Sequence, residues 1–221
     1  GSLSSLLLWL DPSDADGRDG SGGLYDLSEN GHDYTTKTTG AATKPTLATG
    51  PNGNGVYYFL PGGSSAGLEA TAWDGPVSGT TPYEVWFIFN VNNPDASGAR
   101  IVQFAELGLG VFTGTDYGPY LFSGDTMPDM KGAGTKDTNY HLFRFVYDGG
   151  TQSSVSSYKF YLDGVEQTLS ASLTPYPSET PTARLGANIV HGQNFDGNLG
   201  ELVVTGGAAL TIQDAADLTS Y

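Results

Sequence analysis

The sequence predicts an all-β protein, an antiparallel sandwich of two sheets with one short helix at the C-terminus. Three observations carry that expectation. Apolar runs are short, β-branched and aromatic, with clusters of Gly, Asn, Asp, Pro and Ser between them, the rhythm of strands and turns rather than of βαβ units. Glycine supplies 32 of 221 residues, about twice its usual share, which suits many turns and argues against a helix bundle. Aromatic residues reach 12%, enough for a sizeable core although apolar residues as a whole make up only 38%.

Strands are expected at 5–10, 56–60, 83–91, 100–105, 110–113, 119–122, 141–147, 158–162, 183–190 and 199–205. The stretch 83–91 is apolar on both faces, so it belongs at the centre of a sheet. Its alternation puts Glu84, Trp86 and Asn90 on one side and Phe87 and Phe89 on the other. In 141–147, Phe143, Phe145 and Tyr147 form the more apolar side, so Arg144 points away from the core, where an unpaired cation would be costly. Asp148-Gly149-Gly150 and Asp163-Gly164 mark hairpin turns. Over 211–218 the pattern turns helical, with Thr211 as N-cap and Asp214 three residues on. No repeat, linker or low-complexity tract interrupts the chain, so 3–221 reads as one domain. Gly1-Ser2, without an initiator Met, reads as a cloning scar on a domain cut from a longer parent protein.

Composition excludes several function classes. Nine Lys plus Arg against 24 Asp plus Glu leave a formal charge of −15, the wrong sign for a nucleic-acid partner, which needs a basic face. No run approaches the roughly 18 apolar residues of a membrane span, so no membrane insertion is expected. Cysteine is absent, which removes disulfides, thiolate metal sites and a Cys nucleophile. Low Lys with abundant Asp, Gly, Thr and Ser favours an extracellular, cell-surface or virion location.

Seven motifs follow one another in a familiar order. Leu8-Trp9-Leu10-Asp11-Pro12-Ser13-Asp14 is an opening strand with an acidic exit, followed by the turn Asp26-Leu27-Ser28-Glu29-Asn30-Gly31-His32-Asp33. Lys44-Pro45-Thr46-Leu47 and Tyr57-Tyr58-Phe59 come next, then the aromatic strand Tyr140 to Gly149 with its partner Tyr158 to Gly164, and finally Phe195 to Val204. Together they resemble the laminin-G-like, concanavalin A-like lectin/glucanase superfamily in its bacterial and phage form, with Glu29 standing where that turn usually has Gly. The resemblance implies a two-sheet jelly roll with a curved open face, and a habit of carrying structural calcium. It implies no reaction, because the fold hosts glucanases, lyases, lectins, adhesion modules and virion parts.

The chemistry of catalysis is missing. A glucanase of this fold needs carboxylates alternating on one strand, about 5 to 5.5 Å apart in a retaining enzyme; Glu69, Glu84, Glu106, Glu166 and Glu201 each stand alone among apolar neighbours. Gly63-Ser64-Ser65-Ala66-Gly67 fits the nucleophile-elbow pattern, but the elbow requires a following helix, and the residues up to Gly75-Pro76 leave no room for one. His32, His141 and His191 lack zinc-ligand spacing. The protein is therefore not expected to be an enzyme.

Binding residues are better represented. Asp11, Asp14, Asp16 and Asp19 in a Gly-rich loop are hard oxygen ligands of the type calcium prefers, although Arg18 interrupts EF-hand spacing and Asp and Gly also serve simply as turn formers. Trp73, Tyr117, Tyr120 and Tyr176 lie in Gly/Pro-rich loops near Asp74, Asp116 and Asn194; sugars stack on such rings while Asp and Asn take the hydroxyls. If the strands at 83–91 and 141–147 share a sheet, Trp86 and Arg144 lie on its open side, with Trp73, Asp116, Tyr117 and Asn194 rimming the groove. The first expectation is a non-catalytic carbohydrate-binding or adhesion module of a secreted or surface protein. The alternative is a structural domain of a phage virion, a capsid decoration, head fibre or tail fibre working by protein contacts. A polysaccharide-degrading enzyme ranks last.

Overall fold

The computed structural model describes residues 6–38, 44–60, 66–70, 73, 75–76, 80–93, 100–104, 107–110, 120–121, 130–132, 137–151, 154–171, 182–188 and 193–207. The first strands are β1 (Leu6–Leu10), β2 (Tyr34–Thr38), β3 (Thr46–Thr49), β4 (Gly55–Phe59), β5 (Ala66–Ala70) and β6 (Tyr83–Val91). Then come β7 (Arg100–Phe104), β8 (Leu107–Gly110), β9 (Tyr120–Leu121), β10 (Met130–Gly132), β11 (His141–Tyr147) and β12 (Tyr158–Leu162). The last are β13 (Val165–Gln167), β14 (Leu169–Ala171), β15 (Arg184–Leu185), β16 (Ala187–Asn188), β17 (Gln193–Asn194) and β18 (Gly197–Gly206).

Two main sheets face each other, and every pairing is antiparallel. One is eight-stranded, in the order β13-β12-β11-β6-β18-β4-β3 with β1 also on β18; the other runs β2-β5-β15-β7-β8. The small sheets β14-β10-β9 and β16-β17 accompany them. This is the all-β sandwich that the sequence predicts. The C-terminal helix expected at 211–218 lies outside the described residues, as do residues 111–119; among the described residues the only helical pieces are 3₁₀ turns at Pro51–Gly53 and Val155–Ser157.

β6 is central, between β11 and β18, and buried at all its positions. Its odd-numbered residues Val85, Phe87 and Phe89 enter the core with Phe143, Phe145, Tyr147 and Phe160, against Leu68, Val102, Phe104 and Leu185 of the five-stranded sheet. The Phe87 and Phe143 rings stack with centroids 4.3 Å apart. A bulge in β18 between Leu199 and Leu202 keeps both leucines in the core and turns Glu201 outward toward Trp9.

Turn chemistry follows the sequence closely. Asp163 and Gly164 both take left-handed φ, 52° and 78°, as a two-residue hairpin loop requires. Glu29 has φ 68°, a left-handed region in which an L side chain is strained and glycine is favoured. The 183–190 run predicted as one strand breaks at Gly186, where a Cβ would overlap the Phe59 ring and φ is 75°, so β15 and β16 part to different sheets. The Gly-x-Ser-x-Gly match ends in strand β5, not in a helix.

Candidate functional site

The outer face of the eight-stranded sheet is built by the side chains that alternation excludes from the core. Register aligns Glu166, Tyr161, Arg144, Trp86, Val203 and Trp9 in one row across β13, β12, β11, β6, β18 and β1. Sequence reasoning placed Trp86 and Arg144 on one side of one sheet, and the structure brings them together as direct cross-strand neighbours. The Arg144 guanidinium carbon lies 4.6 Å from the Trp86 ring centroid and 4.9 Å from that of Tyr161. Since those residues flank it in the register, the guanidinium is layered between two rings, each contact a cation–π attraction of about 0.5–2 kcal/mol.

Glu84 locks this ladder from below. Arg144 donates from Nη2 to Glu84 Oε1 at 3.0 Å and from Nε to Oε2 at 3.2 Å, and Trp86 Nε1 donates to the same Oε2 at 2.9 Å. A carboxylate this buried requires paired, hydrogen-bonded partners, and here it has three donors. Trp86 is only 4% exposed, so its ring supports Arg144 and is not an open platform. The Arg144 side chain is 29% exposed, with Nε and Nη2 committed to Glu84. Burial, and then a hydrogen bond with Glu166, raise the Tyr161 pKa above its ordinary value, so its hydroxyl stays protonated.

At the far end of the row, Trp9 Nε1 donates to Glu201 Oε1 at 2.7 Å. Burial pushes the Glu201 carboxyl up to about 7; the Trp9 hydrogen bond opposes the shift and the Asp11 charge adds to it.

The other predicted residues fall elsewhere. Trp73 stacks on His32 with centroids 4.4 Å apart and meets Phe104 edge-on at 5.4 Å, so it caps the core beside the five-stranded sheet. Asp116 and Tyr117 lie outside the described residues, as do Asp74, Glu106, Tyr176 and His191; for Asn194 the description covers only the backbone, paired with Ala187.

The acidic loop is a set of turns. Asp11 Oδ1 accepts from Ser13 N and Oγ at 2.8 and 2.6 Å, and Asp14 Oδ1 from Asp16 N at 2.9 Å. Asp19 Oδ1 accepts from Ser21 N and Gly23 N, both at 2.7 Å. Burial alone would raise the Asp19 pKa, and the Ser21 and Gly23 hydrogen bonds outweigh it and lower it. Asp16 is exposed. Calcium needs oxygens converging on one point; among the described residues no three His, Asp or Glu side chains group as metal ligands.

Two groups escaped sequence reasoning. His141 sits between two carboxylates, Nδ1 2.7 Å from Asp163 Oδ2 and Nε2 2.9 Å from Asp137 Oδ1. On the five-stranded sheet, Glu69 joins Arg184 at 3.2 Å and Lys37 at 3.1 Å. Alternation alone flags that second group: Leu68 and Ala70 flank Glu69, Ala183 and Leu185 flank Arg184, and all four flankers enter the core.

No family model matches the chain, and no curated protein does. Among solved structures, it is similar over 97% of its length, and 98% of the other chain, to domain 4 of AbnA, a GH43 extracellular arabinanase from Geobacillus stearothermophilus, in complex with arabinotriose; identity is 19% and the TM-score 0.64. It is also similar to the binding domain of botulinum neurotoxin DC in complex with rat synaptotagmin II, at 11% identity and TM-score 0.63, over 99% of this chain and 52% of that one. The binding domain of Paraclostridial Mosquitocidal Protein 1 matches at 10% identity and TM-score 0.62, over 99% and 53%. The chain spans about half the length of these toxin domains. At such identities the likeness is one of fold.

Proposed function

We propose that the chain is a non-catalytic carbohydrate-binding module of a secreted or surface protein, of the laminin-G-like kind its motifs resemble. The observation that carries the proposal is the Tyr161–Arg144–Trp86 ladder held by Glu84. It presents a partly exposed guanidinium, its side chain 29% exposed, whose orientation is fixed before any ligand arrives, and such preorganisation lowers the cost of binding. Glu84 balances the charge of Arg144, so the pair offers directed hydrogen bonds without net charge, which suits neutral sugar hydroxyls. The full-length likeness to an arabinotriose-bound domain supports the reading, and the toxin binding domains are at least consistent with a recognition role.

The virion reading uses the same face for protein contacts. A catalytic reading would rest on Glu201, since a carboxyl near 7 suits a general acid; its buried position against the Trp9 indole favours a structural role. A glycan array followed by titration of the retained sugar with wild type, Arg144→Ala and Tyr161→Ala decides. Each variant is expected to lose about tenfold or more in affinity, the worth of one charge-assisted hydrogen bond, with no reducing ends released by the wild type. A blank array would refute carbohydrate recognition and leave the virion reading.

A further inference from the structure

The five-stranded sheet has its own polar row on the face turned away from the core. Thr35, Glu69, Arg184 and Gln103 align across β2, β5, β15 and β7, while their neighbours Tyr34, Leu68, Ala70, Leu185, Val102 and Phe104 fill the sandwich. Arg184 Nε donates to Glu69 Oε2 at 3.2 Å, and Lys37 Nζ reaches Glu69 Oε1 at 3.1 Å from the other side. The Arg184 side chain is only 9% exposed. Among the described residues its Nη1 is buried without a hydrogen-bond partner.

An arginine carries five N–H donors and never loses its charge. Leaving one of them dry and unpaired costs free energy that an incoming oxygen would recover. A sugar hydroxyl would satisfy the donor but not the charge: among the described residues two cations face one carboxylate here, leaving one positive charge in excess on a chain of −15. A carboxylate satisfies both, and its pairing with guanidinium is among the stronger hydrogen-bonded contacts. Side-chain exposure rises from 9% at Arg184 to 18% at Glu69 and 53% at Lys37, toward β2, one of the two edge strands of this sheet.

We propose that Arg184, with Lys37 beside it, anchors a second site that takes the carboxylate of an acidic sugar, a uronate unit of a polysaccharide. The site is separate from the Arg144 strip and rests on the same reading of the chain as a glycan-binding module.

The test is to titrate the ¹⁵N-labelled full chain with the trisaccharides of galacturonate, glucuronate and mannuronate, and with neutral galactotriose, following the arginine Nε–H signals. At least one uronate is expected to move the Arg184 signal while galactotriose leaves it in place. Arg184→Gln should weaken that uronate about tenfold or more. Lys37→Gln, on the exposed side of the pair, should weaken it by less and flatten its salt dependence; this variant keeps the test alive if Arg184→Gln fails to fold. If no uronate moves Arg184, or if uronates move only Arg144, the inference falls and the carbohydrate-binding reading stands on its own assay. If no sugar moves either arginine and the array is also blank, both fall.

Discussion

Glu201→Gln should gain stability relative to the wild type as pH rises, by an amount that can be calculated from the Glu201 shift. Burial raises the Glu201 carboxyl from 4.5 to about 7, so between those values the folded state holds a proton that the unfolded state has released. Stability therefore falls as pH rises through that interval, by about 1.4 kcal/mol per pH unit, or about 3 kcal/mol in all. Gln keeps an oxygen for the Trp9 indole N–H and never ionises, so it escapes this penalty. It brings an amide N–H₂ whose burial costs about 1–3 kcal/mol, but that cost is the same at every pH. The diagnostic quantity is the change in the mutant's advantage between pH 5 and pH 8, expected at about 2.5 kcal/mol from the same linkage relation. Urea unfolding at the two pH values measures it directly. A mutant whose stability relative to wild type is the same at pH 5 and pH 8 would refute the placement of a buried carboxyl with a raised pKa there.

Three further outcomes are expected. Burial by itself would lower the His141 pKa, but hydrogen bonds with Asp163 and then Asp137 raise it above 6.5, so its contribution is complete below 6.5 and lost as pH rises through the raised value. The hydrogen-bonded Asp137 has a lowered pKa, so its share is lost only at acid pH; the stability gap between wild type and His141→Gln should close on the alkaline side. Glu29→Gly should stabilise by about 0.5–1 kcal/mol in urea unfolding, because relief of left-handed strain exceeds the entropy glycine adds to the unfolded chain. EDTA or added calcium should leave the melting temperature unmoved, since Asp11, Asp14 and Asp19 already accept from their own turns; a rise with calcium would mean that the loop rearranges around the ion.

The parts of the fold that the sequence made legible are those where alternation and turn chemistry agree. β6 and β11 declared both their faces, and with them the adjacency of Trp86 and Arg144. Asp163-Gly164 declared its hairpin. The strands that were missed, β2, β3, β5, β10, β13, β14 and β17, are short and carry polar residues or Gly; β2, β3 and β13 lie at sheet edges, where one side of the ladder is free and no apolar pattern is demanded. The loop candidates were weaker for a related reason. A Trp in a Gly/Pro-rich segment looks the same whether it meets a sugar or, as Trp73 does, packs on His32 and Phe104. The acids at 11–19 looked like ligands because Asp is both a turn former and a metal ligand, and only the hydrogen bonds separate the two uses. Arg184 was hidden because its partners Glu69 and Lys37 lie more than a hundred residues away in sequence, and register, not spacing, joins them.

The outer faces of both sheets hold ionic groups that stability alone does not explain. Replacing a buried ion pair by apolar residues of similar volume is often neutral or stabilising by about 1–4 kcal/mol, and the inner faces show that this chain has apolar residues in abundance. What the pairs do supply is orientation: in each, a glutamate on one strand fixes a guanidinium on a neighbouring strand. The two differ in charge balance. Glu84 neutralises Arg144, and the rings of Trp86 and Tyr161 hold it in place; Glu69 is outnumbered by Arg184 and Lys37. A neutral site and a cationic one on the same acidic chain must respond differently to salt, because only the second gains from attraction at a distance. Raising the ionic strength from 0.1 M to 1 M shortens the screening length from about 10 Å to about 3 Å. Uronate binding at Arg184 should therefore weaken with salt while neutral-sugar binding at Arg144 holds. A common salt dependence would mean that both ligands occupy one site.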